Sequence, residues 1–156
     1  MELAGKHIVL GLSGGIACYK AADFVRELTK AGATVQVVMT QAAEQFITPV
    51  TMQALSNRSV FTSQWDAREP NNMAHINLSR EADAILIAPC SADFMAKLLH
   101  GSADELLSLM CLARPMSRVP LLLAPAMSVR MAKDSARRTC VSKNVQASIC
   151  TRPVEE

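Results

Sequence analysis

Four strand-sized apolar runs, each followed by a turn and then helix-like material, constrain this chain more than any other feature. The runs are His7–Leu12, Thr34–Met39, Ala84–Ala88 and Val119–Ala124. They are short and largely apolar on both faces, the pattern of strands covered from two sides. Helical pattern runs from about Ile16 to Lys30, with Ala17, Ala21, Phe24, Val25 and Leu28 as its apolar stripe and Gly32 as its stop. It resumes up to Phe46, then near Val50 to Leu55 with Pro49 at the start, and again over about Ala92 to Ala113 with a break near Gly101. Residues 57–74 are polar and irregular, and the chain has no internal repeat. Strands alternating with helices predict an α/β fold of three layers, Rossmann-like or flavodoxin-like, with helices on both faces of a parallel sheet.

Sheets of that kind bind ligands beyond the carboxyl ends of their strands. Here those ends are Ser13-Gly14-Gly15, Thr40-Gln41, Pro89-Cys90-Ser91 and Pro125-Ala126-Met127. Small and hydroxyl-bearing residues there leave room for a concave polar site. A strand, Ser-Gly-Gly and a helix place backbone N–H groups at a positive helix end, which favours an anion, usually phosphate; a turn that needs glycine only for its shape is the competing reading. The loop is neither G-x-G-x-x-G nor a Walker A loop. Thr40 stands where a dinucleotide fold usually offers an acid to the ribose, so a mononucleotide phosphate fits better than NAD.

Composition narrows the classes. At 156 residues with half of them hydrophobic, the chain is one domain and not a disordered one. No apolar run reaches the roughly 20 residues a membrane span needs, and the start lacks a basic-then-apolar leader. Five cysteines, an odd number with no C-x-x-C pair, argue against a disulfide framework and a zinc site, so no metal is expected and reduced thiols in the cytoplasm are. Net charge is +2, with 8 basic against 11 acidic residues up to 113 and 8 against 3 after it. The basic excess (Arg130, Lys133, Arg137, Arg138, Lys143 and Arg152) has no interleaved aromatics to stack on bases, so a solvated face is favoured over nucleic-acid binding.

His75 lies in Met73-Ala74-His75-Ile76-Asn77-Leu78, where alternation turns Ile76 and Leu78 inward and His75 and Asn77 the other way. By itself such a histidine is more often structural than catalytic. Cys90 and Cys111 read as small core residues, the nine methionines as mostly core filler, and Glu105 as a solvated or helix-capping charge.

Taken together, several strings occur in the order found in one family: Ile8-Val9-Leu10-Gly11-Leu12-Ser13-Gly14-Gly15-Ile16-Ala17, Met39-Thr40, Phe46-Ile47-Thr48-Pro49, His75-Ile76-Asn77-Leu78, Ala82-Asp83, Ala88-Pro89-Cys90-Ser91-Ala92-Asp93 and Pro125-Ala126-Met127. From Leu3 to about Met131 the chain resembles the flavin-dependent cysteine decarboxylases, and among them the phosphopantothenoylcysteine decarboxylases of coenzyme A biosynthesis. The resemblance implies FMN as cofactor. It places Ser13, Gly14, Gly15 and Ile16 at the flavin, with Thr40, Gln41 and Ala42, then Ser91, Ala92, Asp93 and Phe94, and finally Ala126. His75 matches the family's active-site base. In the family a flavin between the subunits of a trimer oxidises the substrate thiol, so that the carboxylate gains an electron sink and leaves as CO2. A homotrimer and a phosphopantothenoylcysteine-type substrate are therefore implied.

The pattern departs from the family beyond Met127. Ser128 stands at the family's substrate-binding Asn, and a hydroxyl lacks the amide's paired donor and acceptor. Met131-Ala132 replaces Met-Trp, and the segment carrying a catalytic cysteine in an Ala-Cys-Gly context is not found; Cys140 and Cys150 take no role from it. The expected division is a flavin-binding domain over 1–131 and a divergent basic tail over 132–156, with no clear strand in the tail, as in a truncated or frame-shifted version of a longer protein of marginal solubility. The leading reading is a phosphopantothenoylcysteine decarboxylase. The alternatives are a non-catalytic FMN-binding or subunit-interaction protein, and a decarboxylase of peptides ending in cysteine.

Overall fold

A computed structural model describes residues 3–66, 68, 73–125 and 147–149. The strands β1 (His7–Leu12), β2 (Thr34–Met39), β3 (Ala84–Cys90), β4 (Leu121–Pro125) and β5 (Ala147–Ile149) form one sheet in the order β2-β1-β3-β4-β5. Every neighbouring pair is parallel. This is the flavodoxin-like order, in which the winding reverses between β1 and β3. The helices are α1 (Cys18–Lys30), α2 (Pro49–Ser56), α3 (Ala74–Glu81), α4 (Ala92–His100) and α5 (Leu106–Ala113).

The two faces of the sheet carry separate cores. Leu10, Leu12, Val35, Val37 and Met39 pack with Cys18, Ala21, Val25 and Leu28 of α1 and Met52 of α2. Val9, Val38, Ile85, Ile87, Leu121 and Leu123 pack with Leu78 of α3, Phe94, Met95 and Leu98 of α4, and Leu107 and Met110 of α5. Each such aliphatic side chain contributes about 1.5–3 kcal/mol when fully buried. This is the expected arrangement of helices on both faces.

Local signals set most boundaries. α1 ends in a Schellman turn: Gly32, at φ +95°, donates to the Thr29 carbonyl and Ala33 to that of Leu28. Thr48 caps α2, with Pro49 at its first position. Ser91 caps α4, and Gly101 ends it in the left-handed region.

Four expectations change. α1 starts at Cys18, not Ile16, and Phe24 of the expected stripe is 38 % exposed. β3 runs through Pro89, across a cis Ala88–Pro89 bond and a register shift between Ile87 and Cys90. Residues 74–81 form a helix, so Ala74 and Leu78 face inward at helical spacing while Ile76 is half-buried; eight residues are too few for period 2 and period 3.6 to separate. A strand, β5, pairs with β4 where the sequence pattern shows none, being only three residues long.

Candidate active site

The carboxyl ends of β1, β2 and β3 converge on a cleft of about 180 Å³. Ser13 and Gly14 line it from the turn after β1, Thr40, Gln41 and Ala42 from the turn after β2, and Ser91, Asp93 and Phe94 from the start of α4. Eight residues singled out from the sequence thus meet in one place. Gly15, Ile16 and Ala92 flank it without lining it, and Ile16 is 77 % exposed.

The buried Ser13 joins two of these turns. Its hydroxyl donates to the Pro89 carbonyl at 2.8 Å and accepts from the Ser91 N–H at 2.7 Å. With its proton committed to Pro89, Ser13 positions the cleft rather than offering a donor to a ligand. The Thr40 hydroxyl accepts from Ala43 N–H at 3.2 Å, and Thr40 N–H donates to the Leu12 carbonyl. Ser91 Oγ accepts from Phe94 N–H at 3.1 Å.

Those bonds leave another set of donors free. The backbone N–H groups of Gly14, Gly15, Ile16, Gln41 and Ala42 have no hydrogen-bond partner among the described residues. Two facing turns of unpartnered N–H groups, the first of them leading into α1, make an anion-binding concavity. The turns touch at Gly14, where a Cβ would lie 2.8 Å from the Ala42 Cβ. Glycine is therefore required there by close approach, and its N–H stays accessible.

The opposite wall carries Lys97, which the sequence reading did not single out, and pairs it with carboxylates that it did. Lys97 and Glu105 line the cleft. Lys97 Nζ lies 3.0 Å from Asp104, 3.1 Å from Glu105 and 4.0 Å from Asp93. Burial pulls the Lys97 pKa down, but the hydrogen bonds to Asp104 and Glu105 outweigh it and the net shift is upward. The i,i+4 spacing of Asp93 and Lys97 was a legible signal; the reach across Gly101 to Asp104 and Glu105 was not. Glu105 also occupies the cap of α5, where the Ser108 hydroxyl bridges its backbone N–H and carbonyl.

His75 lies half-buried in the first turn of α3, outside the cleft lining. In a parallel crossover the helix runs back against the strands, so the start of α3 lies at the ligand-binding end of the sheet. Ala126 and Ser128 lie outside the described residues.

The chain is similar to known proteins. The Flavoprotein family model matches residues 1–154. The coenzyme A biosynthesis bifunctional protein CoaBC of Haemophilus influenzae is 50% identical over 135 residues, covering 86% of this chain and 33% of that protein. The chain thus spans about a third of the length of the bifunctional relatives it matches. The probable phosphopantothenoylcysteine decarboxylase of Streptococcus mutans is 46% identical over 126 residues, covering 81% of this chain and 70% of that protein. Among solved structures, HAL3 from Cryptococcus neoformans superposes with a TM-score of 0.75 at 30% identity, covering 95% of this chain and 86% of that one. The FMN-dependent cysteine decarboxylase SpaF, at TM-score 0.80 and 23% identity, covers 97% of this chain and 88% of that one and shares its fold. The fold, the small-residue strand ends and these matches place the chain in the Flavoprotein family.

Proposed function

We propose that this chain binds FMN and decarboxylates phosphopantothenoylcysteine to phosphopantetheine in coenzyme A biosynthesis. The observation that carries this reading is the cleft of unpartnered N–H donors at the flavodoxin-like switch point, built from Gly14, Gln41 and Ala42. Such donors fit the phosphate of a mononucleotide, and the Gly14 contact keeps the backbone open to it. Bound there, FMN supplies reversible two-electron redox chemistry, the electron sink that a cysteine carboxylate lacks.

The chain's own residues hold and orient. Gly14, Gln41 and Ala42 offer N–H groups to the anionic end of the cofactor, with Gly15 and Ile16 flanking them. Ser13, through Pro89 and Ser91, keeps the turns after β1 and β3 at a fixed separation. His75, which matches the family's active-site base, exchanges a proton with the substrate through a ring nitrogen. The family resemblance assigns Ala126 to the flavin, and Ser128 stands at its substrate-binding position; both lie outside the described residues.

The reading includes a cytoplasmic homotrimer. Small-molecule sites commonly enclose about 300–1,000 Å³, and the cleft of one subunit holds about 180 Å³. Ile16, Tyr19 and Phe46, which follow the two donor turns in sequence, are 77 %, 60 % and 49 % exposed. A second copy over those side chains would bury them and extend the cleft.

The test combines the visible spectrum of the purified, desalted protein, its size-exclusion position, and CO2 release on addition of phosphopantothenoylcysteine. A retained flavin band on a trimer-sized particle with substrate-dependent CO2 is expected. Release from a peptide ending in cysteine in place of phosphopantothenoylcysteine would reassign the substrate. A colourless protein that takes up no FMN and releases no CO2 would overturn the reading.

A further inference from the structure

The charges around the cleft are unbalanced in a way the donor turns do not explain. Asp93, Lys97 and Glu105 line it, and Asp104, outside the lining, lies 3.0 Å from Lys97. Three carboxylates thus converge on a single ammonium. Among the described residues Lys97 is the one cationic side chain in the lining. It is only 24% exposed, as is Glu105, so water screens the two less than it screens an open surface pair.

We propose that Lys97 is the residue that lets this cleft accept a phosphorylated flavin in preference to an unphosphorylated one. The inference rests on the flavin reading given above and adds to it a specificity-determining residue. Without the ammonium, Asp93 and Glu105 leave a wall of uncompensated negative charge in the lining, with Asp104 next to it. Glu105, 24% exposed, lines the same cleft as the donor turns, and a partly buried charge is screened by salt less than an open surface one. Any phosphate the cleft admits therefore feels that wall. Riboflavin has the same ring and ribityl chain but no phosphate charge, so it is indifferent to the wall except through shape.

Lys97 also ties α4, which carries Asp93 and Phe94, to the start of α5, which carries Glu105. A merely structural tie would move the affinities of both flavins together. A charge role separates them.

The experiment titrates FMN and riboflavin, each followed by flavin fluorescence, against the apoprotein and against Lys97→Met, Lys97→Arg and the double variant Lys97→Met/Glu105→Gln. Lys97→Met is expected to weaken FMN by about tenfold or more and riboflavin by less than about threefold, because a charge pair is broken beside one ligand's charge and not the other's. Lys97→Arg is expected to retain FMN binding, and the double variant to regain part of it as a carboxylate is removed. Equal losses for the two flavins, or an unchanged FMN affinity in Lys97→Met, would overturn the proposal and leave the flavin reading standing. Failure of the unaltered protein to bind either flavin would overturn that reading, and the proposal with it.

Discussion

Ser13 and Pro89 lie 76 residues apart and are joined twice, since both the N–H and the hydroxyl of Ser13 donate to the Pro89 carbonyl, at 3.1 and 2.8 Å. The pair holds the ends of β1 and β3 together at the point where the sheet reverses its winding. Removing the hydroxyl in Ser13→Ala leaves the part-buried Ser91 N–H without its acceptor. The expected cost is about 1–3 kcal/mol of stability, the range for an unsatisfied buried polar group. Urea denaturation measures it, and an unchanged midpoint would show that the hydroxyl does not hold the turns.

Gly14→Ala drives a Cβ to 2.8 Å from the Ala42 Cβ. The turns after β1 and β2 must part, and overpacking of this kind costs about 1–3 kcal/mol. Flavin retention should fall along with the melting temperature. Gly101→Ala is the control: open space surrounds that Cβ, but φ is +70°. It should cost about 1 kcal/mol through backbone strain and leave flavin affinity unchanged. Equal flavin loss in both variants would count against the donor turns as the site.

His75→Asn should keep bound flavin and abolish substrate-dependent CO2 release. The side chain lies outside the cleft lining, so the substitution leaves the donor turns untouched. Spectrum and CO2 assay on the same preparation separate the two effects. Loss of flavin from this variant would show that His75 supports the fold rather than the chemistry.

Cys18, Cys90 and Cys111 are free and buried. Burial pushes all three thiols up, Cys111 to about 12 and Cys90 further. At pH 8 they remain protonated, and the thiolate is the reactive form. Iodoacetamide followed by peptide mass mapping should leave these three unmodified in the native protein and alkylate them in denaturant. Rapid native alkylation of Cys90 would contradict its place at the end of β3.

His7 sets a pH limit. Burial lowers its pKa from 6.5, the nearby Arg58 lowers it further, and Glu81 and Asp83 oppose both without prevailing. A depressed histidine binds its proton more readily in the unfolded chain, so stability is full above pH 6.5 and is lost as pH falls toward the lower folded pKa. The melting temperature should decline over that window, and His7→Leu should flatten the decline. An identical acid limb in the variant would assign it to other groups.

The strand-ending motifs were legible because each is local. A buried-type apolar run followed by Ser13-Gly14-Gly15 or by Ser91 states both where a strand stops and what the turn offers. Gly32, Pro49 and Gly101 marked helix ends for the same reason. α3 was not legible, since Ala74–Glu81 is too short for its periodicity to declare itself and Leu78 fits a strand as well as a helix. The three residues of β5 carried still less signal, and its place in the sheet comes from pairing with Leu121–Leu123 of β4. Lys97 escaped notice because its pairs with Asp104 and Glu105 cross a helix end.

Sequence alone determined the alternation of strands and helices, the parallel sheet covered on both faces, and the small polar residues at the strand ends, because all of these follow from short-range periodicity and turn chemistry. Tertiary structure decided which strand ends meet. The order β2-β1-β3 brings Gly14, Ala42 and Ser91 to one cleft, commits the Ser13 hydroxyl to Pro89, leaves the N–H groups of Gln41 and Ala42 without a partner among the described residues, and gathers three carboxylates on Lys97. Those relationships join residues up to 78 positions apart, and contacts at that separation are set by packing of the whole sheet rather than by any local preference of the chain.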